Sequence, residues 1–291
     1  MKNAEGKPFV ALRDPLMLTQ QTMVVQPQVV RILQSFQGQR SLDELSAATG
    51  MPRDQLRQLA EGLDRIGLLW GPTFEKLETE WRQKIEAEGH FPRQASNSLG
   101  AEPDGDPVTA DVCRSTIESY FGEIEDPELD TPPIAVVSTH MDYARGWPSY
   151  AQSYFPWRAV AAPDRVVIFG RNHFGLGDGV TLSPYGFETP LGRMPVDAAV
   201  VQALRDRFDK ALTIDHLDFL PEHSIELQLP WLQYCFGDVP VVAALMPDPL
   251  SPMIDDDSDR IGIDAFTAAL SEVLADAGGI TYFVAAADLS H

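Results

Sequence analysis

The sequence predicts an α/β protein with a mixed, mostly parallel sheet covered by helices, preceded by a small helical unit. Its 291 residues, 44% of them hydrophobic, suffice for one full α/β domain and a smaller one. From residue 134 onward, short β-rich apolar segments alternate with amphipathic helical patterns, which is typical of α/β folds. Residues 8–70 show only short helical patterns separated by Gly and Pro.

The first unit is predicted to hold three helices and a closing strand over residues 67–70. That arrangement resembles a winged helix. The charges on the third helix cancel, which argues against DNA binding and favours contact with a protein or peptide, or a structural role. The helices are indicated by the start and stop signals Pro27 and Gly38, the capping box Ser41 to Glu44 with Gly50, and Pro52.

A charged helix over 74–88 follows this unit, and residues 91–109 are rich in Pro, Gly, Ser, Asn and Asp. Such a composition predicts a flexible linker. The predicted organisation is therefore a first domain over 1–90, a linker over 91–109 and an α/β domain over 110–291.

Strands and helices alternate through the α/β domain. Helices are predicted where apolar residues recur along one helical face, and strands where short runs are rich in β-branched and aromatic residues. The predicted strands are 134–138, 166–170, 239–245 and 280–286, and the predicted helices are 110–121, 197–212 and 264–277.

Composition excludes several classes of partner. A net charge of −21 argues against nucleic acid and against an anionic membrane surface. The two cysteines form no CxxC pair, so neither a disulfide framework nor a zinc ribbon is indicated. No apolar run is long enough for a membrane span, and the expected location is the cytoplasm.

Three of the apolar segments end in a histidine: His140, His173 and His291. In open α/β sheets the carboxyl ends of parallel strands line the ligand crevice. Three imidazoles delivered there make a candidate metal or acid–base site. His223 lies in a loop that opens a helix, where the helix amino end lowers the pKa of an imidazolium and suits it to general base work, although it could equally cap the helix.

The metal itself is left open by these residues. Imidazoles without thiolates suit zinc, iron or copper, whereas two histidines and a carboxylate suit non-haem iron. Asp142 or Tyr143 could fix the tautomer of His140. Arg145 could bind a substrate carboxylate or pair with a local acid.

Five ordered motifs carry a resemblance to a known family, the Memo-like family of the AmmeMemoRadiSam system protein B type, over roughly residues 110–291. That family is structurally similar to class III extradiol ring-cleaving dioxygenases, which use non-haem iron. The motifs are STHMDY at 138–143, GRNH at 170–173, TPLGRMPVD at 189–197, EHSIELQLPWL at 222–232 and ADLSH at 287–291.

The resemblance implies roles for individual residues. His140 and His173 are expected to bind the metal, and His223 is expected to be catalytic through acid–base chemistry or to be a ligand. The third ligand position of the family falls on Ser290 or His291, and His291 is taken as the predicted ligand. Some relatives have Cys at this position and this chain does not. Relatives continue with further strands and helices, so the chain is expected to be truncated after His291.

The first unit looks like the PqqD-like winged-helix domain attached to some family members. The opening ALRDP at 11–15 and the close LDRIGLLWGP at 63–72 carry that likeness. Such domains contact a peptide or a radical-SAM partner.

These observations lead to two main hypotheses. The first is a metal-dependent, dioxygenase-like redox enzyme that uses iron, with zinc or copper as alternatives, and acts with a radical-SAM partner. The second is a non-enzymatic peptide- or protein-binding component with a vestigial metal site. A DNA-linked regulator is disfavoured by the balanced charge of the third helix.

Overall fold

The computed structural model describes residues 8–101, 107–175, 179–247 and 260–288. The chain divides into two compact units after Lys84. Each unit has its own buried residues and is described by itself.

The first unit combines a two-stranded antiparallel sheet with helices. Its strands are β1 (Val10–Arg13) and β2 (Thr22–Val25), and its helices are α1 (Pro27–Leu33), α2 (Leu42–Thr49), α3 (Arg53–Arg65) and the start of α4 (Pro72–Glu88). The predicted capping box of α2 is present, because Ser41 and Glu44 bond each other's backbone and side chain. Gly50 ends this helix in the left-handed conformation. The three helices predicted for this unit are therefore confirmed.

The predicted closing strand at 67–70 is wrong. Gly67 has a φ of 73°, and the amide of Leu68 bonds back to the carbonyl of Leu63. The left-handed residue Gly67 ends α3, and the chain makes a turn there instead of continuing as an extended strand. The two strands of this unit, β1 and β2, precede its helices, and the sequence had predicted no strand at these residues.

The second unit is built on a five-stranded sheet and a smaller three-stranded one. Its strands are β3 (His90–Phe91), β4 (Ala135–Ser138), β5 (Arg165–Arg171), β6 (Thr181–Leu182), β7 (Gly186–Thr189), β8 (Gly192–Met194), β9 (Val241–Met246) and β10 (Thr281–Ala286). The main sheet has the order β4-β10-β5-β9-β6, in which only β6 runs antiparallel to its neighbour. The prediction of a mixed, mostly parallel sheet is confirmed, and all four predicted strands are present.

Helices pack on both faces of the main sheet. They are α5 (Ala110–Gly122), α6 (Tyr143–Tyr154), α7 (Ala198–Phe208), α8 (Leu229–Phe236) and α9 (Ile263–Ala277). Helices α7 and α9 bury Leu204 and Phe266 in one core with Val167 of β5. On the other face, Tyr282 of β10 packs against Trp157 and Phe236. Phe283, the next residue of β10, packs against the first core, so adjacent residues of this strand face opposite sides of the sheet.

The predicted linker over 91–109 needs correction in its first part. Strand β3 pairs with β7, Phe91 stacks on Phe187 with ring centres 5.5 Å apart, and Leu99 is fully buried. The small polar residues of this segment serve a short 3₁₀ helix (Ala95–Ser98) rather than a flexible chain. Residues 102–106 of the predicted linker lie outside the described residues.

Within the described residues, none of the helices combines the length and apolar character that crossing a bilayer requires.

Gly170, near the end of β5, is a packing constraint that can be tested. A Cβ at this position would lie 2.5 Å from Cγ1 of Ile225 and 2.6 Å from Oγ of Ser224. We expect Gly170→Ala to lower the free energy of unfolding by about 1–3 kcal/mol, measured by urea denaturation. Gly122→Ala, where nothing lies within 4 Å, is the control. It should leave stability unchanged or raise it by about 0.4–1 kcal/mol, and an equal loss in both variants would contradict this account of Gly170.

Candidate metal centre

Three of the predicted histidines meet at the carboxyl edge of the main sheet. His140 follows β4, His173 follows β5, and His223 lies in the loop before α8. The ring centre of His173 is 5.0 Å from those of both His140 and His223, and the remaining pair is 5.8 Å apart. Ser290 and the predicted ligand His291 lie outside the described residues.

The strand register accounts for the position of His140. Ser138 pairs with Ala286 in the parallel ladder, so two residues further along each strand His140 comes to lie beside Asp288. One carboxylate oxygen of Asp288 accepts hydrogen bonds from Oγ1 of Thr139 at 2.6 Å and from the amide of His140 at 3.1 Å. Asp288 therefore holds the turn in which His140 sits.

The His140 ring is buried with one nitrogen left over. Nδ1 lies 3.2 Å from the carbonyl oxygen of Ala286, which fixes Nδ1 as the protonated nitrogen. Nε2 is buried and has no hydrogen-bond partner among the described residues, with the nearest carboxylate oxygen, from Asp288, at 3.6 Å. A buried, unprotonated ring nitrogen without a donor is a candidate metal ligand.

Glu222 is the anchor of the other two imidazoles, and the sequence analysis gave it no such role. Its side chain is fully buried. It accepts hydrogen bonds from the amides of His173 at 2.7 Å, His223 at 2.8 Å and Ser224 at 2.8 Å. Both carboxylate oxygens also lie 3.1 Å from Nδ1 of His173.

Glu222 suits an orienting role better than a ligand role. Ligand atoms of His173, Glu222 and His223 lie within 4.8 Å of one another, so the geometry alone allows both. The carboxylate oxygens, however, are already occupied by three amides and an imidazole. A carboxylate that binds Nδ1 of a histidine fixes its tautomer and leaves Nε2 for a metal. The signal available in the sequence was the position of Glu222 directly before His223.

Burial sets the charge state of these groups. Burial lowers the pKa of His140, against the opposing effect of Asp288, and it lowers the pKa of His223 against the effect of Glu222. Burial would raise the pKa of Glu222, but the hydrogen bonds from His173 and Ser224 outweigh it and the pKa is lowered. At neutral pH, His140 and His223 are neutral and Glu222 is charged, which is the state required of metal ligands and their anchor.

The loops that carry the histidines are tied to one another. The side-chain amide of Gln228 donates to the carbonyls of Thr139 and Ser224, and its oxygen accepts from the Tyr154 hydroxyl. Oγ of Ser224 bonds both the amide and the carbonyl of Arg171. Residues of the EHSIELQLP motif thus connect the His140, His173 and His223 loops.

The imidazoles open into a cavity of about 670 Å³. Of the residues that the sequence placed beside His140, Tyr143 is buried and donates to the carbonyl of Leu227, and Arg145 pairs with Asp142 at 2.7 Å. The acidic partner of His140 is Asp288 instead. The cavity is lined by Gln94, Ala95, Ser98, His140, Met141, Asp142, Arg145, His173, His223, Leu227 and Asp288.

A helix-covered mixed sheet with three imidazoles at its carboxyl edge defines an α/β protein with a candidate metal centre. Comparison with known sequences gives its family. Residues 108–291 match the family described as Memo-like protein, and the chain belongs to that family.

The relatives extend this finding. A MEMO1 family protein of Thermotoga neapolitana is 41% identical over 128 residues, which is 43% of this chain and 45% of the relative. One from Pyrobaculum aerophilum is 34% identical over 57% of this chain and 56% of the relative. One from Aquifex aeolicus is 28% identical over 83% of this chain and 63% of the relative, so that alignment includes residues before 108. The chain thus spans between 45% and 63% of the length of these relatives.

The lowered pKa values predict that acid destabilises the metal-free protein. An unfolded histidine, with a pKa near 6.5, binds protons more readily than folded His140 or His223, so stability falls as the pH drops from about 7 to about 5. We expect the melting temperature to follow this trend, and His140→Gln to make its pH dependence shallower because one of the two groups is gone. Scanning calorimetry of both proteins across this range measures the effect. An equally steep loss in the variant would contradict the assignment to His140.

Proposed function

We propose that the second unit binds one divalent metal ion through His140 and His173, with His223 as the acid–base group or the third ligand, and uses the ion in redox chemistry of the dioxygenase type. The observation that carries this proposal is the buried Nε2 of His140, without a hydrogen-bond partner among the described residues and beside two further imidazoles. Iron is the favoured metal, and zinc and copper are the alternatives. On this proposal the protein is of the AmmeMemoRadiSam system protein B type, and its second unit is similar to class III extradiol dioxygenases.

The proposed roles follow from hydrogen bonding. His140 and His173 present Nε2 because their Nδ1 atoms face Ala286 and Glu222. His223 has about a third of its side chain exposed, so it can exchange protons with a bound substrate or act as a third ligand. His291 and Ser290 remain alternatives for that third ligand.

Asp288 adds a carboxylate whose Oδ2 lies 3.6 Å from Nε2 of His140. Two histidines and one carboxylate with open positions form the ligand set typical of non-haem iron oxygenases. A bound iron ion would supply electron transfer with oxygen or substrate. The protein's own part is to keep His140 neutral and Glu222 charged, and to place His223 where it can move a proton.

The metal proposal is tested by binding measurements on the whole chain. We expect the protein to bind about one equivalent of Fe(II) under anaerobic conditions, and His140→Ala and His173→Ala to abolish this stoichiometric binding. Glu222→Gln should weaken binding by about 10–100-fold, because the outer carboxylate orients the ligands. Titration calorimetry and elemental analysis give affinity and stoichiometry, with Zn(II) and Cu(II) run in parallel.

His216→Asn is the matched control, since His216 is a half-buried histidine that does not line the cavity. It should bind metal like the parent. The proposal fails if His140→Ala and His173→Ala bind as much metal as the parent.

A second candidate function is the binding of a peptide or a radical-SAM partner by the first unit, as a PqqD-like winged-helix domain would do. A cavity of about 950 Å³ in that unit favours it. The cavity is lined mainly by apolar side chains of β1, α1, α2 and α3, and Trp70 at its edge is 73% exposed. A large exposed aromatic beside an apolar cavity is typical of a binding surface.

Trp70→Ala separates this candidate from the metal proposal. If the cavity binds a radical-SAM protein of the same organism, the variant should weaken binding by about 30-fold, the effect of losing a hot-spot residue worth about 2 kcal/mol. His140→Ala should leave that binding unchanged. Surface plasmon resonance with the purified partner measures both, and equal binding by Trp70→Ala and the parent would rule this cavity out.

A further inference from the structure

One wall of the histidine cavity comes from residues before the part of the chain that matches the family. Gln94, Ala95 and Ser98 line the cavity, whereas the family match begins at residue 108. Ala95 and Ser98 stand three residues apart, so they share one side of the short 3₁₀ helix (Ala95–Ser98), and Gln94 directly precedes that helix. We call residues 94–98 the cavity wall.

The other side of the cavity wall is firmly anchored. Ser96 and Leu99 are fully buried. The side-chain amide of Gln94 donates to the carbonyl of Leu220 at 2.9 Å. The wall is thus fixed at both ends, and its exposed side is turned to the cavity.

Glu226 makes the main attachment. It is 7% exposed, and its carboxylate accepts the amides of Gln94 at 2.7 Å, Ala95 at 3.1 Å and Ser96 at 2.9 Å. It also accepts the Ser96 hydroxyl at 2.6 Å. Four hydrogen bonds to one buried carboxylate form a strong clamp.

The clamp connects the wall to the histidines. Glu226 stands three residues after His223, in a turn where the amide of Leu227 bonds the carbonyl of His223. Leu227 itself lines the cavity. A shift of Glu226 would therefore move the wall relative to His223.

We propose that the cavity wall is the specificity-determining element of the histidine site, that Glu226 is its positioning residue, and that the site takes a small organic molecule selected by size. A volume of about 670 Å³ lies within the range of roughly 300–1,000 Å³ that holds such ligands. Ser98, whose hydroxyl donates to the carbonyl of Ala95, keeps acceptor capacity for a ligand donor. The inference rests on the proposed function for its chemistry, but the wall itself can be tested without metal.

The test measures access to the histidines in metal-free protein. Diethyl pyrocarbonate modifies neutral imidazoles, and mass spectrometry gives the rate at each histidine. We expect Ser98→Trp and Ala95→Trp to slow the modification of His173 and His223 by about tenfold, because the indole fills the cavity. The rate at His216, outside the cavity, should stay the same in every protein.

Ser115→Trp is the matched control, since Ser115 is an exposed serine on α5 that does not line the cavity. It should leave all rates unchanged. If both wall variants modify His173 and His223 as fast as Ser115→Trp, the wall does not govern access and the inference is overturned. A protein that binds no metal but shows the slowed rates would refute only the proposed function.

Glu226→Leu tests the clamp, because it keeps a side chain of similar size and removes both oxygens that accept the four hydrogen bonds. Hydrogen exchange of amides 94–96 should quicken by about tenfold, while exchange in β5 and β9 stays the same. With Co(II) in the site, the ratio of imidazole to 4-phenylimidazole affinity should change in this variant and not in Ser115→Trp. Unchanged exchange at 94–96, or an unchanged ratio in protein that binds Co(II), would show that Glu226 does not position the wall.

Discussion

The site depends on the buried carboxylate of Glu222. Three amides and the Nδ1 atom of His173 surround this carboxylate, and their hydrogen bonds compensate its charge. A carboxylate in such a setting costs little to bury and fixes the loops that bond to it. The positions of His173 and His223 both follow from it.

Two glutamates of one short motif perform different tasks. Glu222 holds the imidazole loops, and Glu226 holds a segment that is about 130 residues away in the chain. Gln228 joins the same network through Thr139 and Tyr154. The motif thus connects several segments of the unit, and its His223 and Leu227 line the cavity.

Burial keeps the imidazoles of His140 and His223 neutral. Burial removes water from the rings and so disfavours their protonated forms. Among the described residues, the buried Nε2 of His140 has no hydrogen-bond partner. A bound cation would satisfy this acceptor, so metal binding and folding are expected to support each other.

The sequence by itself determined four strands of the main sheet, most helices and the position of His140 and His173 at strand ends, because hydrophobic periodicity and capping residues act over a few neighbouring positions. It misread residues 91–101 as linker and 67–70 as a strand, since burial of Phe91 and the left-handed turn at Gly67 depend on contacts that composition does not record. Only the tertiary structure decided that Asp288 stands beside His140, that Glu222 anchors the other imidazoles and that residues 94–98 line the cavity. Strand register and hydrogen bonds between distant segments fix those relations, and a local pattern cannot encode them.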